Sequence, residues 1–132
     1  MRDFIESDLE RIDLNEFSCD ALKYRDVFLS DVFKKYTLDV NGKVWCIVAF
    51  REHKPQNYWA FMMFDKNIPF IYARKIRAFM NKLMADLKPE LVETWSIDCD
   101  FINRWHRFLG LQKQEHIFYD GKEVNRWSLS WV

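Results

Sequence analysis

The chemistry open to this chain starts from His106, an imidazole set in the run Asp100-Phe-Ile-Asn-Arg-Trp-His-Arg-Phe-Leu109. Its ordinary pKa of about 6.5 lets it give or take a proton at neutral pH. Asp98, just before that run, and Glu93, in the apolar stretch ahead of it, are carboxylates that could serve as bases. Each also has a purely structural reading. His106 between Trp105 and Phe108 suits a half-buried helix residue, and Asp98 or Asp100 suits a helix N-cap. Cys99 is a candidate thiol with no base near it in sequence. His53 and His116 stand too far apart to read as a ligand pair, and neither a Cys-x-x-Cys nor a His-x-Glu occurs, so the spacing supports no metal.

The elements that must position these groups are legible in the apolar pattern. Leu9–Leu14 reads as a short first strand. From Asn15 to Tyr36, Phe17, Ala21, Tyr24, Phe28, Val32 and Tyr36 recur at helical steps. Leu38–Val40 and Val44–Phe50 flank Asn41-Gly42, a two-residue hairpin signal. Tyr58–Phe64 is apolar throughout, as is Val44–Phe50, and both read as central strands covered on two faces. The polar stretch Arg51–Asn57, with Pro55, reads as the connection between them. A helix is predicted over 70–87, with Ile76, Phe79, Met80, Leu83, Met84 and Leu87 inward and Pro89 at its end. Leu91–Ile97 reads as a strand, 100–109 as a helix closed by Gly110, and two last strands near 114–119 and 125–131 as a hairpin on Asp120-Gly121. On the 100–109 helix, Ile102 and Leu109 share the side of His106. Phe101, Trp105 and Phe108 form the adjoining face, and a core centred there leaves His106 at its edge.

At 132 residues, with 49% hydrophobic and 17% aromatic content, the sequence reads as one domain, 1–132, with ample material for a core. Twenty basic and twenty acidic residues cancel. That balance argues against a nucleic-acid partner, which calls for a basic excess or stripe. There is no apolar run of membrane-spanning length and no leader-like start. Cys19, Cys46 and Cys99 are odd in number and unpaired in pattern, which suits buried, reduced thiols in a cytoplasmic setting, with no membrane partner.

The order strand, helix, hairpin, strand, helix, strand, short helix, Gly110-Leu111, hairpin resembles the GNAT superfamily of acyl-CoA N-acyltransferases. That resemblance implies an α/β fold with a central mixed sheet of six or seven strands and three or four helices on its faces. The stretch from Trp59 onward, with its aromatic strand, glycine-poor turn, basic helix and Asn103-Arg-Trp-His-Arg-Phe-Leu-Gly110 ending, is similar to small phage proteins of this type, including the internal virion protein A type of short-tailed phages. It implies a virion component or a protein that meets a viral or host partner, in the host cytoplasm or the virion.

The same resemblance implies acetyl-CoA as cofactor if the chain is active. It sets His106 where the family's acid often stands, with Asp98 as a base at the end of the fifth strand. It puts Phe61 and Met63 on the cofactor side, with Lys66, Arg74 and Lys75 as side-chain cations for the pyrophosphate; the alternative is that these are solvated charges at a helix start. The chain departs from the family in one place of consequence. Where members carry a glycine-rich loop whose backbone N–H groups meet the pyrophosphate, it reads Asp65-Lys-Asn-Ile-Pro-Phe-Ile-Tyr-Ala-Arg74, without glycine. Cys99 and His106 also stand where members often carry Asn and Tyr. These departures imply a degenerate, acetyltransferase-like protein; the alternative is an active N-acetyltransferase for a protein or small amine. The turn at 65–69 is therefore predicted to present fewer inward N–H groups than the family's loop.

Overall fold

In the computed structural model, residues 1–13, 28–119 and 121–130 are described. The strands are β1 (Arg2–Asp3), β2 (Lys34–Val40), β3 (Lys43–Lys54), β4 (Asn57–Phe64), β5 (Leu91–Ile97), β6 (Gln112–Tyr119) and β7 (Lys122–Ser130). The helices among these residues are α1 (Asp8–Arg11), α2 (Ala73–Leu87) and α3 (Asp100–Phe108). The strands form one mixed sheet in the order β1-β2-β3-β4-β5-β7-β6, so the expected α/β class and strand number are found. None of the helices is long and apolar enough to cross a membrane. The chain forms two compact units, Met1–Arg51 with Ala60–Ile76, and Glu52–Trp59 with Arg77–Val132.

In the first unit, Asn41 and Gly42 both take positive φ (53° and 82°) and Val40 pairs with Lys43, the geometry that makes Asn-Gly the favoured two-residue hairpin. β2 begins at Lys34, earlier than its apolar pattern suggests, because Tyr36 pairs with Val48 and Lys34 with Phe50. The helical reading of 15–36 is thereby corrected at its C-terminal end: Phe28 and Leu29 are helical, a turn follows, and Tyr36 is in a strand. The rest of that reading, with Cys19, lies outside the described residues. The expected first strand at 9–14 is also corrected, since Asp8–Arg11 is a helical turn. Asp8 decides this. Buried completely, it accepts hydrogen bonds from Arg2 (2.7 and 2.9 Å), from Thr37 Oγ1 (2.8 Å) and from the Ile5 N–H (3.0 Å), which holds the chain in a turn. The core of this unit gathers Ile12, Phe28, Phe33, Val44, Ile47, Ala49 and Met63, with Phe4, Leu9 and Phe61 packed against it.

In the second unit β3 runs on to Lys54, so the polar stretch 51–54 is strand and the connection shrinks to Pro55-Gln56. Proline supplies the fixed φ of a turn's first central position, and Gln56 takes φ 63°. A non-glycine residue there costs about 1 kcal/mol. Gln56→Gly is expected to stabilise the fold by up to about 1 kcal/mol, read as a rise in the urea midpoint at unchanged m. The Gln56 carbonyl accepts from the N–H of Glu90 (2.7 Å) and of Leu91 (3.4 Å). That anchors the start of β5, which pairs in parallel with β4 from Asn57↔Leu91 to Trp59↔Glu93. Parallel neighbours need a crossover, and α2 supplies it. β4 is less covered than its apolar run suggests: Trp59 is exposed, and Tyr58, Phe61 and Met62 are half-buried.

α3 ends in a full Schellman closure. Gly110 has φ 92°, its N–H donates to the Arg107 carbonyl, and the Leu111 N–H reaches the His106 carbonyl, both at 3.0 Å. At the other end the capping position is Cys99, which makes no side-chain cap, with Asp100 as the first helical residue. Neither aspartate is therefore the N-cap. The buried stripe of α3 is Ile102, Trp105, His106 and Leu109, spaced i, i+3, i+4, i+7. Phe101 and Phe108 are only half-buried, so the core is centred on the His106 side and not on the Phe101 side.

Candidate functional site

The turn after β4 belongs to the first unit, and its backbone donors are occupied in sequence. The Asp65 N–H donates to the Trp45 carbonyl (2.9 Å) and the Lys66 N–H to the Asp13 carbonyl (2.7 Å). The Asn67 N–H donates to Asp65 Oδ1 (2.9 Å) and the Ile68 N–H to the Asp65 carbonyl (3.1 Å). Pro69 has no N–H. Asp65 organises this closure. Its side chain is fully buried and also accepts from the Asp13 N–H (3.0 Å) and from Lys43 Nζ (2.8 Å). Burial alone would raise its pKa, but the bonds from Lys43 and the two amides outweigh that and hold the carboxyl below its usual range. The helical start that follows is a single 3₁₀ turn, Phe70–Tyr72, with Phe70 and Ile71 facing water at 73% and 78% exposure.

The residues expected on the cofactor side all lie in this unit. Met63 is buried in its core and Phe61 packs edge-on against Phe33, with ring centres 5.5 Å apart. Lys66, Arg74 and Lys75 are exposed. Of the five, then, two are engaged in packing and three are solvent-facing cations.

His106 and Asp98 lie in the second unit, in two separate clusters. His106 is 2% exposed and sits edge-on to Trp127 of β7, with centroids 5.1 Å apart. Its Nδ1 is 3.5 Å from Ser96 Oγ, and that same oxygen accepts from Trp127 Nε1 at 3.0 Å. Since the indole is donor-only, the Ser96 hydroxyl hydrogen is free to turn toward His106 Nδ1. Burial pushes the His106 pKa down to about 4, so the ring is neutral at pH 7. A neutral buried imidazole accepts protons poorly and has none to lend as an imidazolium.

Asp98 directly follows β5, exposed, and its Oδ1 accepts from Asn103 Nδ2 (2.8 Å) and Asn125 Nδ2 (3.0 Å). Those two bonds, from Asn103 first, hold its pKa below the ordinary value. An ionised carboxylate only accepts, so both amides must turn their NH₂ groups toward it. Asn125 Nδ2 also reaches Asn103 Oδ1 (3.2 Å). Asn125 Oδ1 is thereby left facing His116 Nδ1 at 2.7 Å, with His116 as the donor. The other ring nitrogen, Nε2, lies 3.6 Å from Glu123 Oε1. The bond to Asn125, with help from Glu123, raises the His116 pKa.

Taken singly, Ser96, Asn103, Glu123 and Asn125 carry no functional signal in the sequence, and His116 is set there only against His53. The period of β7 contained part of the signal, because Glu123, Asn125 and Trp127 alternate onto one face. His116 joins that face only through an irregularity. Lys113 pairs with Trp127, but Glu115 pairs with Arg126, and the extra residue turns His116 to lie opposite Asn125 instead of Val124.

No family model and no curated protein matches the chain. Solved structures do. An N-acetyltransferase from Staphylococcus aureus Mu50 superposes with a TM-score of 0.71 at 10% identity, covering 99% of this chain and 97% of that one. A GNAT-family acetyltransferase from Bacillus anthracis gives 0.66 at 12%, covering 98% and 92%. A Bacillus subtilis acetyltransferase, solved in complex with CoA, gives 0.64 at 14%, covering 86% of each. At such identities the likeness speaks for architecture, and this chain has the fold of the GNAT acetyltransferases.

Proposed function

We propose that this is an acetyltransferase-like protein in which the acyl-CoA site has been given over to structure, and that it acts by binding a protein partner, as a virion component or as a host-interacting protein. The observation that carries this reading is the turn at 65–69, where four consecutive amides have intramolecular partners and the fifth residue is proline. A pyrophosphate recognised by converging N–H groups would have to break those bonds and lie beside the Asp65 carboxylate. The candidate acid and base support the same reading, since His106 is neutral and enclosed while Asp98 cross-links two asparagines. The phage-type role rests on the likeness of Trp59 onward to small phage proteins of this fold.

The second reading, an acetyl-CoA-dependent N-acetyltransferase for a protein or small amine, is favoured by two observations. A neighbour of the same fold was solved with CoA, and Lys66, Arg74 and Lys75 are exposed, as side-chain recognition of the pyrophosphate would require. Thermal melting with and without millimolar acetyl-CoA separates the two. A ligand at a hundred times its Kd stabilises a fold by about 2.7 kcal/mol, which for a domain of this size moves Tm by about 10 °C. No shift is expected. A rise of that size, lost on combined Lys66→Ala and Arg74→Ala substitution, would overturn the binding-protein reading.

A further inference from the structure

Asp98 and Glu123 face one another across β5 and β7, where the Asp98 N–H donates to the Glu123 carbonyl at 2.9 Å and continues the ladder from Ile97↔Val124. Two carboxylates directly opposite on one sheet face repel. The fold sets His116 beside them on β6, on the diagonal from Glu123. One ligating atom from each of the three lies within 4.8 Å of the others. The His116 ring is also oriented. Its Nδ1–H is held by the buried Asn125, itself fixed by Asp98 and Asn103, so the lone pair is on Nε2, which lies 3.6 Å from Glu123 Oε1. A ligating histidine is held in this way, through its other N–H, by a buried hydrogen-bond acceptor.

The geometry points to a divalent-cation site formed by Asp98 (through Oδ2), His116 (through Nε2) and Glu123. It is of the kind in which three protein ligands hold Zn²⁺ or a similar first-row ion and a water takes the fourth place. Tetrahedral Zn²⁺ with bonds of about 2.0–2.1 Å keeps its ligand atoms about 3.3 Å apart. The His116–Glu123 separation of 3.6 Å is close to that, and Asp98 and Glu123 are exposed, so side-chain rotation closes the rest. One nitrogen and two carboxylate oxygens suit Zn²⁺, Co²⁺ or Mn²⁺, and leave no thiolate to select Cu⁺. A bound ion would tie the end of β5 to the terminal hairpin, relieving the Asp98–Glu123 repulsion. The competing occupant is a proton, since an imidazolium at His116 would balance the same two charges.

The test is calorimetric titration of the whole protein with Zn²⁺, alongside NMR of the His116 ring protons. Saturable one-to-one binding is expected, with the His116 resonances moving and those of His53 and His106 unmoved. Affinity should fall as pH drops and His116 protonates. Glu123→Gln and His116→Gln, both at exposed positions, should each weaken binding at least tenfold, and Cys99→Ser should not change it. The proposal is overturned if no saturable binding occurs, which would leave the proton as the only occupant. It is equally overturned if Glu123→Gln binds as tightly as the wild type, or if Cys99→Ser abolishes binding. Resonance mapping on the unaltered protein decides the site even if one variant fails to fold.

Discussion

Asp65→Ala is expected to lower the stability of the fold by about 3 kcal/mol, measured as a fall in the urea midpoint at unchanged m. The side chain is fully buried and holds two backbone amides as well as Lys43. Removing it leaves the Asp13 and Asn67 N–H groups without an acceptor, each at a cost of about 1–3 kcal/mol where water cannot enter. The lost ion pair adds less, because Lys43 is 36% exposed and water screens it. Asp65→Asn keeps an acceptor and the volume but loses the charge, and should cost about half as much. The carboxyl is held below its usual range in the fold. It therefore contributes stability above the unfolded value, lost only as pH falls below about 4. If Asp65→Ala costs under 1 kcal/mol, the turn is not closed by this carboxylate and its amides are more available to a ligand than the geometry implies.

The fold is also expected to weaken as pH falls from 6.5 to 4, by on the order of 3 kcal/mol, through His106. Its pKa is driven down to about 4 by burial. In that window the unfolded chain takes up a proton that the native ring refuses, so stability rises with pH. His116 does not produce this slope. Its pKa is raised, and a raised group contributes stability that is complete below the unfolded value and lost only above it. The carboxylates Asp8, Asp39, Asp65 and Asp98, all held low, act below the window. His106→Phe should flatten the loss between pH 6.5 and 4 while changing stability at pH 7 by about 1 kcal/mol. Urea unfolding at three pH values measures both. A scaffold residue gives this flattening and leaves partner binding unchanged. A proton donor in an active enzyme would instead lose turnover while the pH slope of stability stayed as in the wild type.

The two side-chain clusters around His106 and Asp98 show where reading along the chain stops. Their members come from β5, α3, β6 and β7, and no local period links Asp98 to His116. The link is made by strand pairing and by the irregular step between Lys113 and Glu115. A similar limit applied to His106. The apolar and aromatic residues of α3 allow two faces, and weight placed on Phe101 and Phe108 puts the imidazole at an edge. The packed helix instead buries Ile102, Trp105 and Leu109 around it, because Trp127 fills the facing position.

By itself the sequence determined what depends on local stereochemistry and periodicity. Asn41-Gly42 makes its hairpin because both residues tolerate positive φ, and Gly110 closes α3 for the same reason. The apolar period of 73–87 yields a helix, and the strand and helix order yields the sheet class. The missing glycines after β4 already indicated a turn poor in available donors. Only the tertiary structure decided which partners those donors have, since Trp45 and Asp13 are distant in sequence. It also decided that Asp8 would hold a helical turn where a strand was expected, because its partners Arg2 and Thr37 meet it through pairing of β1 with β2. Backbone preference acts over a few residues, whereas the satisfaction of a buried charge is settled by whatever the fold brings beside it.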